Sequence, residues 1–215
     1  MKIECLVFDV DGTLVDNSIV IIRLFQDIAR KYLGKEMTDQ EVLSLWGPPG
    51  DEIFKNTFPS DVLEPAWKEF LQSYQEVHTT TGFFTKDQLS SIKNRISYLT
   101  IFTGKSRKTM AITLDKLGIK EIFDLILTGN DVTRSKPYPD ALFRIVSTLQ
   151  LNKDEILFIG DSHLDIIAGK TAGIKTAAAL WGAIEAQKLL ESKPDYTFET
   201  PQEFIDFVLS QKRSA

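Results

Sequence analysis

A short apolar run near the start of the chain, Cys5–Phe8, is bounded by acids and reads as a fully buried strand, but runs able to pair with it begin only after residue 95. From about Lys93 onward, strand-like runs alternate with helical periods, the pattern of a parallel sheet covered by helices. The runs lie at 98–102, 124–128, 156–159 and 176–180, with a weaker one at 196–198. Between them, helical periods at 108–117 and 165–172 stop at Gly118 and Gly173, and one at 139–149 follows a turn. The predicted fold class is therefore α/β, a Rossmann-like parallel sheet flanked by helices, with a segment inserted after the first strand.

The inserted segment, 17–81, reads as all-helical. Ile19, Ile22, Phe25 with Gln26, Ile28, Ala29 and Tyr32 form a helical stripe, and Thr38-Asp39-Gln40-Glu41 is a capping-box pattern. Pro65 is placed in the first turn of a helix over 66–77, and no helix can run through Gly47-Pro48-Pro49-Gly50. The expected organisation is a core made of 1–16 and 82–215 and a small helical cap of 17–81 acting as a lid. Its hinges are expected near Asp16-Asn17 and at 79–82, and 211–215 reads as a polar tail.

Bulk properties exclude several function classes. The 215 residues are 43% hydrophobic and 26% charged, an ordinary soluble composition. A formal net charge of −5 with no block of five like charges argues against nucleic acid. Cys5 is the only cysteine, which rules out a disulfide framework and a cysteine-based metal site and fits a reducing compartment. There is no apolar signal-peptide region and no membrane span, so the expectation is a cytoplasmic monomer or homodimer that meets a small molecule.

The residues that end the strand runs carry the chemistry. Cys5–Phe8 leads into Asp9-Val10-Asp11-Gly12-Thr13, the run at 98–102 into Thr103-Gly104, and that at 124–128 into Asp131 and then Lys136-Pro137. The run at 156–159 leads into Gly160-Asp161-Ser162-His163-Leu164-Asp165. In open α/β sheets these ends share one edge, and carboxylates, a hydroxyl and an ammonium gathered there are the parts phosphoryl transfer requires. Asp9 is the expected nucleophile, giving an aspartyl-phosphate, and Asp11 the acid that protonates the leaving alkoxide and then deprotonates water. Thr103 and the adjoining Gly104 are assigned to a phosphate oxygen, and Lys136 neutralises both nucleophile and phosphate. Asp161 completes an oxygen-only site for Mg²⁺, with Asp165 one helical turn on as an auxiliary ligand and Thr13 and Ser162 as supporting groups. Two carboxyls as close as Asp9 and Asp11 share a proton unless a cation intervenes. With Lys136 and a metal nearby, Asp9 stays ionised and Asp11 alone carries the proton.

These four motifs, in this order and covering essentially the whole chain, resemble the haloacid dehalogenase superfamily with a helical cap after its first motif. The resemblance implies Mg²⁺-dependent phosphoryl transfer, a cap that closes over the substrate, and Asp9, Asp161 and the backbone carbonyl of Asp11 as metal ligands. Dehalogenases of the family carry an aromatic residue where Asp11 stands, so Asp11 points to phosphoesters. Gly47-Pro48-Pro49 and Leu180-Trp181-Gly182 are similar to the family's phosphoglycolate phosphatases and bacterial pyrophosphatases. Thr81-Gly82-Phe83-Phe84 departs from relatives that place a proline before this glycine.

Two other classes of protein share part of this pattern. A sugar-phosphate phosphomutase shares Asp9 and Asp11 and returns the phosphoryl group to its substrate. A phospho-accepting signalling module also gathers acids, a threonine and a lysine, but its acceptor sits on a middle strand and it has no helical insertion. Thr103-Gly104-Lys105-Ser106 lacks the earlier glycine of a nucleotide-binding P-loop, Leu99 standing there. His163 has only His78 as a second imidazole and is read as a helix-start residue, Ser162 as a loop hydrogen-bonder, Asp131 as a turn residue and Trp181 as packing.

Overall fold

The structure is a computed structural model that describes residues 2–80 and 82–211; Thr81 and the tail at 212–215 lie outside the described residues. Six strands form one parallel sheet: β1 (Cys5–Phe8), β2 (Tyr98–Phe102), β3 (Leu125–Leu127), β4 (Ile156–Gly160), β5 (Lys175–Ala179) and β6 (Tyr196–Phe198). Their order is β3-β2-β1-β4-β5-β6, and every pairing is parallel. β1 lies centrally, with Val7 in register with Thr100 on one side and Phe158 on the other. The chain winds outward from β1 in one direction and then, from β4, in the other. The carboxyl end of β1 is thus the switch point where an open sheet leaves a crevice.

Between β1 and β2 run α1 (Ser18–Leu33), α2 (Asp39–Leu43), α3 (Gly50–Thr57) and α4 (Ser60–Val77). They close around their own apolar cluster, which includes Ile22, Phe25, Ile28, Phe54, Phe70 and Tyr74. The capping box predicted at Thr38 forms, with Thr38 accepting the Glu41 N–H and Glu41 returning a bond to the Thr38 N–H. The Gly-Pro turn separates α2 from α3 as expected, with Pro49 as the N-cap of α3. Two expectations need correction. α4 starts at Ser60, so Pro65 lies inside the helix and not in its first turn. The carbonyl its missing N–H leaves free belongs to Asp61, and both residues are exposed, where water takes its place. Ile19 is not part of the buried stripe; it is 49% exposed at the start of α1.

The remaining helices are α5 (Lys86–Lys93), α6 (Arg107–Leu117), α7 (Asp140–Leu149), α8 (His163–Ala172), α9 (Ala186–Glu191) and α10 (Pro201–Ser210). Side chains alternate across β1: Leu6 and Phe8 face the cluster shared with α5, α6 and α10, while Cys5 and Val7 face the one shared with α7 and α8. Burial on both faces explains the unbroken apolar reading of the strands. The two crossings between sheet and inserted helices run side by side, the Phe83 N–H donating to the Leu14 carbonyl at 2.9 Å. No described helix is long and apolar enough to cross a membrane.

Beneath the end of β1, Phe8 meets Phe84 and Phe204 edge-on at 5.7 and 5.6 Å, and Phe204 also contacts Phe198 and Trp181. This ring cluster is the floor on which the next residue, Asp9, stands. Phe204→Ala is expected to cost about 3–5 kcal/mol. Urea unfolding checks this, and a midpoint equal to that of the parent protein would contradict the packing assigned here.

Candidate active site

The turn after β1 is closed by one carbonyl. Val10 accepts from the N–H groups of Thr13, Leu14 and Val15 at 3.2, 2.8 and 3.0 Å. Gly12 sits inside it with φ +76°, and a Cβ there would come within 2.1 Å of Asp161 Oδ2, so only glycine fits on both counts. The turn is tied to the rest of the sheet edge by Thr13, whose hydroxyl donates to Asp161 Oδ1 at 3.1 Å, and by Trp181, whose Nε1 donates to the Thr13 carbonyl at 3.0 Å. Trp181 is therefore a packing residue, as read from the sequence, and also a brace for this turn.

Lys136 is the electrostatic centre. Its Nζ lies 2.7 Å from Asp9 Oδ1 and 2.5 Å from Asp165 Oδ1, beside the stacked rings of Phe102 and Phe158, whose centres are 5.1 and 5.4 Å away. Burial works against its charge, but Asp165 and Asp9 outweigh burial and hold the ammonium above the ordinary lysine range. Asp165 is on α8, where its other oxygen accepts the Ser162 N–H at 3.0 Å, while the Ser162 side chain caps the helix through the Leu164 N–H. His163 is thus the helix-start residue it was read to be, and Ser162, read as a loop hydrogen-bonder, is the N-cap of the same helix. Asp131 is the turn residue it was read to be, accepting from the Thr128 N–H and hydroxyl.

The carboxylates of Asp9, Asp161 and Asp165 converge, with ligand oxygens within 4.8 Å of one another. Burial, then Asp9 and Asp165, push the Asp161 carboxyl well above the usual carboxylate range. Burial pushes Asp165 up to about 6, against the opposing pull of Lys136. Four buried or half-buried carboxylates, counting Asp11, face two ammonium groups along this cavity, which leaves it two positive charges short. An all-oxygen donor set with that deficit fits a hard divalent cation such as Mg²⁺. The carboxylate of Asp11 is outside the cluster, while Asp165 is inside it. Asp11 is thereby left its backbone carbonyl for such a role, the oxygen that the resemblance implies.

The Asp11 carboxylate instead meets Lys105, a residue the sequence reading passed over while rejecting a P-loop. Lys105 Nζ donates to both Asp11 oxygens, at 3.0 and 2.8 Å, and to the Tyr74 hydroxyl of α4 at 2.7 Å. Burial opposes the Lys105 charge, and Asp11 and Tyr74 overcome it. Each acid of the Asp9-Val10-Asp11 motif therefore has its own ammonium, which replaces the shared proton as the way the pair is neutralised. Two signals for Lys105 existed in the sequence, its place at a strand end and its separation of two residues from Thr103; nothing marked Tyr74. Thr103 is 1% exposed and its hydroxyl oxygen accepts the Lys105 N–H at 3.2 Å, leaving the hydroxyl hydrogen to donate into the cavity it lines. A Cβ at Gly104 would meet only the Gly47 carbonyl, at an ordinary 3.5 Å.

The inserted helices close the cavity. Their Gly-Pro turn rests on the core loops: a Cβ at Gly129 would lie 2.9 Å from Pro49, and Asn130 Nδ2 donates to both Asp51 oxygens at 3.1 Å. The cleft beneath them, about 150 Å³ and partly open, is lined by Asp9, Asp11, Asp161, Asp165, Thr103 and the two lysines together with Trp46, Ile53 and Phe70.

Comparison with known proteins agrees with this geometry. The family model described as haloacid dehalogenase-like hydrolase matches residues 6–179. Pyrophosphatase PpaX of Oceanobacillus iheyensis is 30% identical over 210 residues, 97% of this chain and 98% of that protein. A crystal structure of a predicted phosphoglycolate phosphatase from Haemophilus somnus superposes with TM-score 0.83 at 22% identity, covering 96% of this chain and 98% of that one. A haloacid dehalogenase-like hydrolase from Streptococcus pneumoniae gives TM-score 0.73 at 27% identity, with coverage of 95% and 98%. With the family match spanning most of the sheet and the strand-end acids in place, the chain belongs to the haloacid dehalogenase-like hydrolases.

Proposed function

We propose that the protein is a Mg²⁺-dependent phosphatase that hydrolyses a small phosphorylated metabolite through an aspartyl-phosphate on Asp9. The observation that carries this reading is the Asp9 carboxylate at the floor of the cleft, held by Lys136 at 2.7 Å and followed two residues on by a second acid under a separate cation. Lys136 keeps Asp9 ionised and aimed, so that one of its oxygens attacks phosphorus. Asp11, a carboxylate held by Lys105 in the free protein, takes up a proton as the phosphate enters, gives it to the departing oxygen and then, again a carboxylate, takes one from the water that hydrolyses the acyl phosphate. Thr103 donates its hydroxyl to a phosphoryl oxygen. A divalent cation held by Asp9 and Asp161, with Asp165 beside them, would supply positive charge to the transferring group.

We take residues 17–81 as the cap domain and the remainder as the core, with the paired crossings beside Leu14 and Phe83 as the hinge. Closure removes water from the cleft before chemistry begins. Hydrolysis is favoured over return of the phosphoryl group to substrate because the relative matched over its whole length carries the name pyrophosphatase.

Asp9→Asn is expected to abolish phosphate release while leaving the circular dichroism spectrum unchanged, and residual turnover near the parent rate would overturn the assigned nucleophile. Asp11→Asn is expected to slow turnover by about 10²–10⁴-fold, the span of general acid–base catalysis, measured as kcat on a phosphate-release assay. The raised carboxyls make a further prediction. Groups that bind protons more tightly folded than unfolded stabilise the metal-free protein below their unfolded range near pH 4, and that stabilisation is lost as pH rises through about 6. Mg²⁺ replaces it, so the metal should raise Tm at pH 7.5 and raise it less at pH 5. A shift that is absent, or larger in acid, would contradict the metal site.

A further inference from the structure

The two sides of the cleft differ in chemistry. Every charged group lining it, Asp9, Asp11, Lys105, Lys136, Asp161 and Asp165, comes from the sheet side. The cap side offers Ile21, Trp46, Ile53, Phe70 and the ring of Tyr74. Behind that wall, the first four of these also line a second cavity of about 50 Å³ closed by Phe25 and Phe54, so the wall is apolar through to the cap core.

Among the described residues no cation other than Lys105 and Lys136 lines the cleft, and Lys55 and Lys68 of the cap are exposed and outside its lining. An ammonium has three N–H donors, and Lys105 directs its own to the two Asp11 oxygens and Tyr74. Lys136 is engaged by Asp9 and Asp165, and its third donor is left for the transferring phosphoryl group. On the cap, Arg23 is paired with Asp39, Lys31 with Glu69 and Arg30 with Glu36. The start of α3 at Gly50 also reaches the cleft, but its first turn already carries Asp51 and Glu52, and Pro48 and Pro49 bring no N–H.

From this asymmetry we infer that the cleft takes a phosphomonoester whose alcohol part is uncharged and apolar, an inference that rests on the phosphatase reading above. A carboxylate or second phosphate beside the reacting phosphoryl group would lie against the side chains of Trp46 and Ile53 with no cation to meet it, at a cost larger than any gain from their contact. The relatives' names, pyrophosphatase and phosphoglycolate phosphatase, describe substrates that carry such a second anion. The 150 Å³ of the cleft is about the size of a cavity that holds one benzene ring, which limits the part of the alcohol held inside it to a few heavy atoms, any remainder lying in its open mouth.

The test compares kcat/KM for propyl phosphate, 2-phosphoglycolate and inorganic pyrophosphate with the full chain and Mg²⁺. Propyl phosphate and 2-phosphoglycolate are close in length, and glycolate is the better leaving group, so a preference for the propyl ester arises in the cleft. It is expected to exceed the other two by about tenfold or more, the scale on which pockets discriminate. Ile53→Lys, which sets an ammonium on a half-buried part of the wall, should move the ratio toward 2-phosphoglycolate by about tenfold or more. Equal or higher values for 2-phosphoglycolate or pyrophosphate in the parent protein overturn the inference and leave the phosphatase reading standing. Phosphate release from none of the three overturns both.

Discussion

Buried charge compensation at one sheet edge is the constraint on which this molecule is organised. Asp9, Asp161 and Asp165 stand where β1, β4 and the start of α8 meet, and Lys136 is the single side chain that reaches two of them. It sits beside the stacked rings of Phe102 and Phe158, within reach of both. Taking that ammonium away would leave two carboxylates buried without a partner, a far larger penalty than the loss of an exposed ion pair. The chemistry and the fold are therefore coupled through the same atoms: the groups suited to phosphoryl transfer are also the groups whose charges must cancel for the edge to be buried at all.

The inserted helices enter this scheme through Tyr74. Its hydroxyl accepts from Lys105 and shares a hydrogen bond with Thr113 of α6, so one cap residue reaches both the second acid and the body of the core. The Gly-Pro turn makes the other contact, on Gly129 and Asn130. Between these two attachments the cap presents only apolar side chains to the cleft. Charge is supplied by the sheet and shape by the helices, a division that lets the leaving-group side change without disturbing the reacting side.

Much of this was legible in the chain. The six strands are where apolar runs predicted them, because strands buried on both faces need unbroken apolar stretches, and the strand-end acids follow directly from those boundaries. Three core helices, α5, α9 and α10, have no counterpart among the predicted periods, although Thr85 with Gln88 and Thr200 with Glu203 form capping boxes that mark the starts of α5 and α10; α9 has six residues and no side-chain cap. The start of α4 was misplaced because proline was treated as a boundary, whereas an exposed helix side tolerates it. In the site, the ligand cluster depends on which way Asp11 turns, and that is decided by Lys105, whose partner was not visible from spacing. The apolar wall of the cleft could not be read either, since Trp46, Ile53 and Phe70 look like ordinary cap core until the sheet is placed opposite them.

The brace on the first turn has a consequence for how the site comes into being. Trp181 holds the Thr13 carbonyl across 168 residues of chain, and a Cβ at Gly182 would lie 2.0 Å from the Gly12 carbonyl, so the two segments meet backbone to backbone. Thr13 in turn reaches Asp161 across 148 residues. On a growing chain the nucleophile emerges well before its surroundings, which arrive only with the fifth strand and the residues just after it. The reactive motif is made before its frame, and any chain cut short before Gly182 carries the motif without the frame that makes it reactive.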